Sequence, residues 1–549
     1  MDLRIPHAFA ALLSCGLASA APQVDDAQAL LREGGPLPDG SIVESFGEVA
    51  MSEGGDWCAL VVTDQGGFEE DGVVIVNGDI VLDEGETLPN GDVVGQILGL
   101  DMSTDGSIAW AHRIDPVLSA SPEALYVDGV ERLRASTTAS ISGQGIPPNT
   151  VLRGMGKVRY DAPFALLDVD LSVNSQATVD AVLLLDLSGT GTPSLQLLAR
   201  EGATPPTLSG PISGLTDPFD VASDGTFILP VSFDDGTAQR EAVLTDQGWR
   251  AVHGSSVAGT NLTWNHGFTV YTACASGGRY VISSQGETPS GGLEGIVIGP
   301  GGVLAREGAP FGPLPGENAG FFGGEYVGMS TAGIPAFIAP VGTFDDVLVS
   351  GGQVLMRETT STVSGTAVGI SLSSGTSRRI AVGSAGRELL FVLSDPNANE
   401  VLALVEVEVG VTDGGCMAAS NATGAVGGTR GLGTGIASAN DLVIESFDLP
   451  PQQFTLLLAS RMPGFIPGAG GSAGNLCLGG SIGRFNASVA AADAAGSVRT
   501  DVNLAAIPQG SGVVAAAPGE TWYFQRWHRD VVGGVATSNF TTLLGITFR

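Results

Sequence analysis

Residues 330–337 read Ser-Thr-Ala-Gly-Ile-Pro-Ala-Phe, an S-x-x-G-x-x-A-F pattern that lies in an apolar run and returns along the chain. Ser103, Gly106, Ala109 and Trp110 repeat it, and looser copies begin at Ser52, Asn174, Ala222, Ala275 and Gly383. Their glycine slots are Gly55, Ala177, Gly225, Gly278 and Gly386. First positions are 51, 71, 48, 53, 55 and 53 residues apart. A second element, Arg-Glu-Gly or Asp-Glu-Gly, precedes several copies, at 32–34, 83–85, 200–202 and 306–308. A period that survives seven times describes architecture and outranks any local motif.

Within one period, residues 42–51, 56–63, 72–76 and 79–83 read as short strands, separated by glycine- and acid-rich turns at 52–55, 64–71 and 77–78. Four antiparallel strands in this length make one blade of a β-propeller, whereas a solenoid uses shorter units. The 81 glycines and 30 prolines suit many tight turns, and helical periodicity is nearly absent after residue 20. The sequence therefore predicts an all-β chain: a seven-bladed β-propeller over 22–410 followed by a C-terminal β-sandwich over 411–549. The last unit offers strands at 378–383, 387–393 and 401–407 but no fourth. Residues 29–32, which stand before a Glu-Gly turn with no preceding unit, supply that strand by phase and clasp the ring. The long interval predicts a surface excursion at 135–159. After residue 415 the period stops, and alternating runs at 442–447, 454–459, 498–504, 521–527 and 543–548 predict the sandwich.

The chain carries 58 acidic and 24 basic residues, a net charge of −34. That excludes the basic footprint nucleic acid requires and suits a solvated extracellular protein that would tolerate Ca²⁺. Residues 1–21 read as a signal peptide: Arg4, an apolar centre at 8–13, then Ala18-Ser19-Ala20. Leu12-Leu13-Ser14-Cys15 resembles a lipobox, but Leu13 stands where Ala or Ser is usual, so cleavage after Ala20 is preferred to anchoring at Cys15. No later stretch is apolar enough to span a bilayer. Export permits oxidation, and Cys416 and Cys477 share the C-terminal segment, so they are read as a disulfide; Cys58 and Cys274 are read as separate buried thiols.

Two resemblances follow. Residues 29–408 resemble tandem-repeat families of exported bacterial proteins whose unit is Asn-x-x-Gly-x-x-Ala-Phe, with Asn kept at 174 and Ser at 103 and 330. The C-terminal segment resembles a module that ends many exported proteins of planctomycete-type bacteria. It shares Gly470-Gly471-Ser472, Gly474-Asn475-Leu476-Cys477-Leu478-Gly479-Gly480, Pro518-Gly519-Glu520-Thr521-Trp522, Phe524-Gln525, Trp527 and Ser538-Asn539-Phe540-Thr541, with His528 where an aromatic is commoner. The resemblances imply export and β architecture, without an activity.

Chemistry-bearing patterns are sparse. Ser103-Thr104-Asp105-Gly106 falls one residue short of the sialidase-type turn. Ser472 and Ser481 carry G-x-S-x-G letters but open no helix, as a nucleophile elbow must. The histidines at 112, 253, 266 and 528 are read as packed or solvent-facing. Residues 186–192 supply one carboxylate where a calcium loop needs several, so no cofactor or metal is assigned. Acid pairs at 69–71, Asp168/Asp170 and Asp234/Asp235 are the candidates for acid/base work or for Ca²⁺ ligation. Trp522 and Trp527 fall on opposite strand faces, one in the core; Trp527, His528, Arg529 and Asp530 form the candidate surface contact.

The reading is an exported, non-catalytic binding or interaction protein, secreted or at the cell surface and monomeric, whose implied partner is an extracellular glycan or a cell-envelope protein. The alternative is a secreted polysaccharide hydrolase working at the central mouth, marked by convergent buried acids beside a base. A third reading makes the C-terminal module a sorting or attachment domain.

Overall fold

The computed structural model describes residues 26–548 except 66–70, 115–121, 137, 190, 216, 266–269, 312, 315, 322–325, 332, 343–344, 352, 359, 364–365, 368–379, 384–387, 396, 410, 414–417 and 434. The secondary structure described is β, apart from three short 3₁₀ turns.

The described strands up to Glu406 lie in seven sheets, antiparallel except in the last, where Asp26 and Ala27 run parallel to Thr362–Val363. The first runs Val43–Met51, Trp57–Thr63, Gly72–Val76, Asp79–Asp83, close to the four strands read from the sequence. The second repeats this with Val94–Met102 innermost, and the third with Thr150–Asp161. Each inner strand touches the next: Val43–Met51 meets Val94–Met102, which meets Thr150–Asp161, then Asp220–Val221, Tyr271–Ala275, Val327–Met329 and Ile380–Val382. Ile380–Val382 returns to Val43–Met51. Apolar clusters fill the space between neighbouring sheets, as where Val43, Trp57 and Val61 pack on Leu390, Val392 and Leu402. This is propeller architecture.

Both repeated elements have a physical reason. In the S-x-x-G turn the first residue's N–H donates to the fifth residue's carbonyl: Ser103 to Ser107 at 2.8 Å, Ala222 to Thr226 at 2.8 Å and Ser330 to Ile334 at 3.0 Å. Gly106, Gly225 and Gly333 donate back to the first carbonyl at φ of +89°, +82° and +77°, a backbone that a side chain would strain. Gly55 and Gly278 occupy the same turn of their sheets. Ala177 does not. It follows Phe164–Val173, between the second and third strands of its sheet, so the copy begun at Asn174 is out of phase. The equivalent turn joins Thr150–Asp161 to Phe164–Val173 through Ala162 and Pro163. Gly386 lies outside the described residues.

The Glu-Gly element is a clamp. Its Glu N–H donates to the carbonyl of the third strand's first residues, and its carboxylate accepts that strand's N–H: Glu84 with Gly72 at 3.0 and 3.1 Å, Glu307 with Gly295 at 2.9 and 3.1 Å. The next glycine passes the chain on, Gly85 N to Val94 O at 2.6 Å and Gly308 N to Ala319 O at 2.9 Å.

The expected clasp is present. Asp26–Arg32 pairs antiparallel with Glu400–Glu406, in the register Gln28↔Leu404, Ala29↔Ala403, Leu31↔Leu402 and Arg32↔Val401. The excursion needs correction, because Thr150–Asp161 is a partly buried strand of the third sheet and Ser140–Ile141 pairs with its start, so most of 135–159 belongs to or adjoins that sheet.

Beyond the ring, Gly428–Leu432, Val443–Phe447 and Val498–Asp501 form one sheet, and Phe454–Ser460, Thr521–Val532 and Leu543–Thr547 belong to another. Ile444, Leu457, Trp522, Phe524 and Ile546 share a core between them. A ribbon, Met462–Pro467 with Asn475–Gly479, lies on the outer side of the second sheet, where Leu476, Cys477 and Leu478 cover Tyr523 and Trp527.

Candidate functional site

The mouth of the ring gathers the ends of the inner strands around a cavity of about 60 Å³ lined by Met51, Asp101, Tyr160, Asp161, Asp220 and Met329 among others. That volume holds a few waters and no sugar ring. Its acids are buried, and each bonds to the next sheet. The Glu48 carboxylate accepts Leu100 N–H at 2.7 Å, Asp101 accepts Tyr160 N–H at 2.9 Å, Asp161 accepts Ser223 N–H at 2.7 Å, and Asp220 accepts Cys274 N–H at 2.9 Å. Asp161 also reaches back to Thr104 Oγ1 at 2.7 Å. Acid side chains thus join consecutive inner strands from the first sheet to the fifth. The sequence carried a signal for part of this, an acid two to four residues before the turns at Ser52, Ser103 and Ala222, but it was masked by the general acidity of the chain.

A charged group fills the channel beside these links. Arg159, fully buried, donates from Nη1 to Glu48 at 2.9 Å and from Nη2 to Asp217 at 3.1 Å. Lys157 Nζ lies 2.6 Å from Asp217 and 3.8 Å from Glu48. Burial opposes the guanidinium's charge, yet Glu48, Asp217 and Asp101 outweigh it and hold its pKa above the ordinary value. The composition is the one named for a hydrolase, two buried acids beside bases. The geometry is different in effect: both oxygens of Glu48 and both of Asp217 already face a cation or a backbone N–H.

The other sequence candidates scatter. Asp168 is half-buried with its pKa raised to about 6 by burial, Asp180, Asp170 and Asp217, but Asp170 and Asp180 are exposed. Asp235 caps its own turn through Thr237 and Arg240 and is held well below the usual carboxylate range. Residues 69 and 70 lie outside the described set. Asp186 accepts Ser188 N–H at 3.0 Å, as expected of a hairpin turn. Ser472 donates to Ser538 O at 2.7 Å and Ser481 accepts Gly510 N–H at 3.0 Å, both within loops. His112 is buried against Tyr126, with its pKa lowered to about 4 chiefly by burial. Among the described residues no group of three or more His, Cys, Asp or Glu is arranged for a metal.

The surface contact read at 527–530 divides between two faces of Thr521–Val532. His528 and Asp530 are buried inside the sandwich, Asp530 accepting Ala422 N–H at 2.9 Å. Trp527 is half-buried beneath the ribbon and Arg529 alone is exposed. Trp527 is thereby a packing residue, and the four residues do not form one surface. Trp522 is the core tryptophan. Cys416 lies outside the described residues, so its pairing with Cys477 is not addressed; Cys477 is buried, and Gln525 fixes its N–H at 2.8 Å. Cys58 and Cys274 are buried thiols in separate sheets. Residues 1–21 also fall outside the described set.

A larger space lies elsewhere. A cleft of about 670 Å³ lies where the ring meets the C-terminal unit, lined by Val303 and Leu304, by Pro335 and Phe337, and by Ile436 and Ala439. Among the described residues, no titratable side chain lines it. Its size and apolar walls are those of a ligand site, and nothing in the sequence pattern marked it.

By sequence, no protein-family model and no curated protein matches this chain. Among solved structures it is similar to a putative oxidoreductase (glucose dehydrogenase) of Thermus thermophilus, at 15% identity and TM-score 0.22 over 56% of this chain and 96% of that one. It is also similar to the α-L-arabinanase of Penicillium chrysogenum (12%, TM-score 0.26, 58% and 96%) and to a Dyadobacter fermentans protein of unknown function (9%, TM-score 0.29, 69% and 99%). At TM-scores of 0.22, 0.26 and 0.29 these likenesses bring neither a fold argument nor a function to this chain.

Proposed function

We propose that residues 22–410 are one seven-bladed propeller followed by a sandwich over 411–549, and that the chain is an exported, non-catalytic binding or interaction protein. The unbroken order of inner-strand contacts from Val43–Met51 round to Ile380–Val382 supports the blade count, and the shared core of Ile444, Leu457 and Trp522 supports the sandwich. Export to the medium or the cell surface rests on residues 1–21 and the acidic composition. The observation that carries the binding reading is the contrast between two spaces: a small mouth whose acids are consumed by structure, and an uncharged cleft large enough for a ligand. The walls of the cleft suit an apolar part of a cell-envelope component better than the hydroxyls of a glycan. The test is retention of envelope fractions and glycans by the full chain, with Val303→Asp placing a charge in the cleft. Loss of retention at unchanged melting temperature supports the reading; undiminished retention refutes the site.

One observation favours the hydrolase as a second reading. Asp168, with its pKa near 6, could hold a proton close to neutral pH. Asp168→Asn abolishing a measured glycan cleavage would establish it.

A further inference from the structure

Most large apolar side chains that are exposed belong to the C-terminal unit rather than to the ring. Among the described residues, five of these eleven lie on two hairpins. Met462–Pro467 exposes Met462 (58%), Phe465 (61%) and Ile466 (46%), and Gly512–Val514 exposes Val513 (64%). The hairpins adjoin, with Gly510 N–H donating to Ser481 Oγ at 3.0 Å. Residues 462–483 and 502–519 contain no charged residue, in a chain of net charge −34. The first stretch is bounded by two arginines. Arg461 pairs with Glu520 at 3.1 Å, and Arg484 is exposed with no carboxylate partner among the described residues.

Three features select the occupant. Met462–Pro467 pairs only with Asn475–Gly479, so its far edge carries no strand among the described residues, yet Pro463 and Pro467 remove two of its N–H groups. That edge is a poor template for a partner's strand and has fewer donors to desolvate in an apolar medium. A second copy would bring another −34 charge towards the first. An apolar wedge with an arginine at its border suits an interface of acyl chains below and phosphates above.

We propose that this face is a lipid-surface contact, the Met462–Pro467 ribbon entering the headgroup region of a bilayer with Arg484 at the phosphates. The site is separate from the cleft and stands whether or not the cleft binds. Flotation of the full chain with phosphatidylcholine vesicles, with and without phosphatidylglycerol, tests it. Wild-type protein should float with phosphatidylcholine vesicles, and less when phosphatidylglycerol is present, because the chain's net charge of −34 is repelled by anionic lipid. Phe465→Asp and Met462→Asp should each lower partitioning at least tenfold at unchanged melting temperature, and Val81→Asp, an exposed site on the ring, should not. Arg484→Gln should weaken binding more on the anionic vesicles. Absence of flotation with phosphatidylcholine vesicles overturns the proposal, as does a Phe465→Asp variant that floats like wild type. A dimer by light scattering that Phe465→Asp splits, without vesicle binding, would instead assign the face to a second copy.

Discussion

The Glu33 N–H donates to Glu400 O at 2.9 Å, and the Glu33 carboxylate accepts the Glu400 N–H at 2.8 Å. Within one sheet the same reciprocal pair is made by Glu84 with Gly72 and by Glu307 with Gly295. Here it joins the two ends of the ring, so Asp26–Arg32 occupies the place of a fourth strand. The Glu400 carboxylate in turn accepts Phe46 N–H at 3.0 Å, tying the last sheet to the first.

Removing residues 26–33 should therefore destabilise the whole ring, because it uncovers the edge of Glu400–Glu406 and its buried Val401, Leu402 and Val405. Glu33→Ala should cost about 1–3 kcal/mol, the range for a charge-assisted hydrogen bond with a backbone partner left behind. Chemical denaturation checks both; a truncated chain that unfolds like the full one would disprove the clasp's energetic role.

Arg159→Met leaves Glu48 and Asp217 buried with one fewer cation, and should cost about 3–5 kcal/mol. Adding Glu48→Gln and Asp217→Asn should recover part of that loss, since the uncompensated charge is what destabilises. A triple variant no more stable than the single one would show that hydrogen-bond geometry, not charge, holds the channel together.

Glu241 is raised to about 7 by burial alone, and its Oε2 has no hydrogen-bond partner. Its pKa is higher folded than unfolded, so the folded state binds the proton more tightly. Stability from this site is fullest below the unfolded value near 4.5 and declines as pH rises towards 7. Glu241→Gln should accordingly raise stability at pH 8, by up to ~3 kcal/mol for such a shift, and leave it nearly unchanged at pH 4. Equal effects at both pH values would assign the change to packing.

We expect Cys416 and Cys477 to be bonded in exported protein. A bond closing a loop of that length contributes about 3–5 kcal/mol. Peptide mass spectrometry under non-reducing conditions decides this, and two free thiols would refute it.

The repeat was legible because it is written in backbone requirements. Gly106, Gly225 and Gly333 mark positive-φ turns, and Glu84 and Glu307 mark clamps, so phase alone placed the clasp strand. It failed at Asn174, where the third sheet turns through Ala162-Pro163 and keeps the pattern only at a different turn. The mouth acids were illegible for another reason. Glu48, Asp101 and Asp220 look like any of 58 acids until folding brings a neighbouring strand's N–H to each. Residues 527–530 misled because strand alternation gives two faces without saying that the ribbon covers one and the sandwich core the other.

The central claim is that this chain binds without cleaving. Full-length protein is incubated with a panel of polysaccharides and cell-envelope fractions, and retention and new reducing ends are measured on the same samples. The account predicts retention that Val303→Asp removes, with no reducing ends released. Reducing ends that accumulate with wild type and vanish in Asp217→Asn or Glu48→Gln variants of unchanged stability would contradict it, and would return the mouth to the position of an active site.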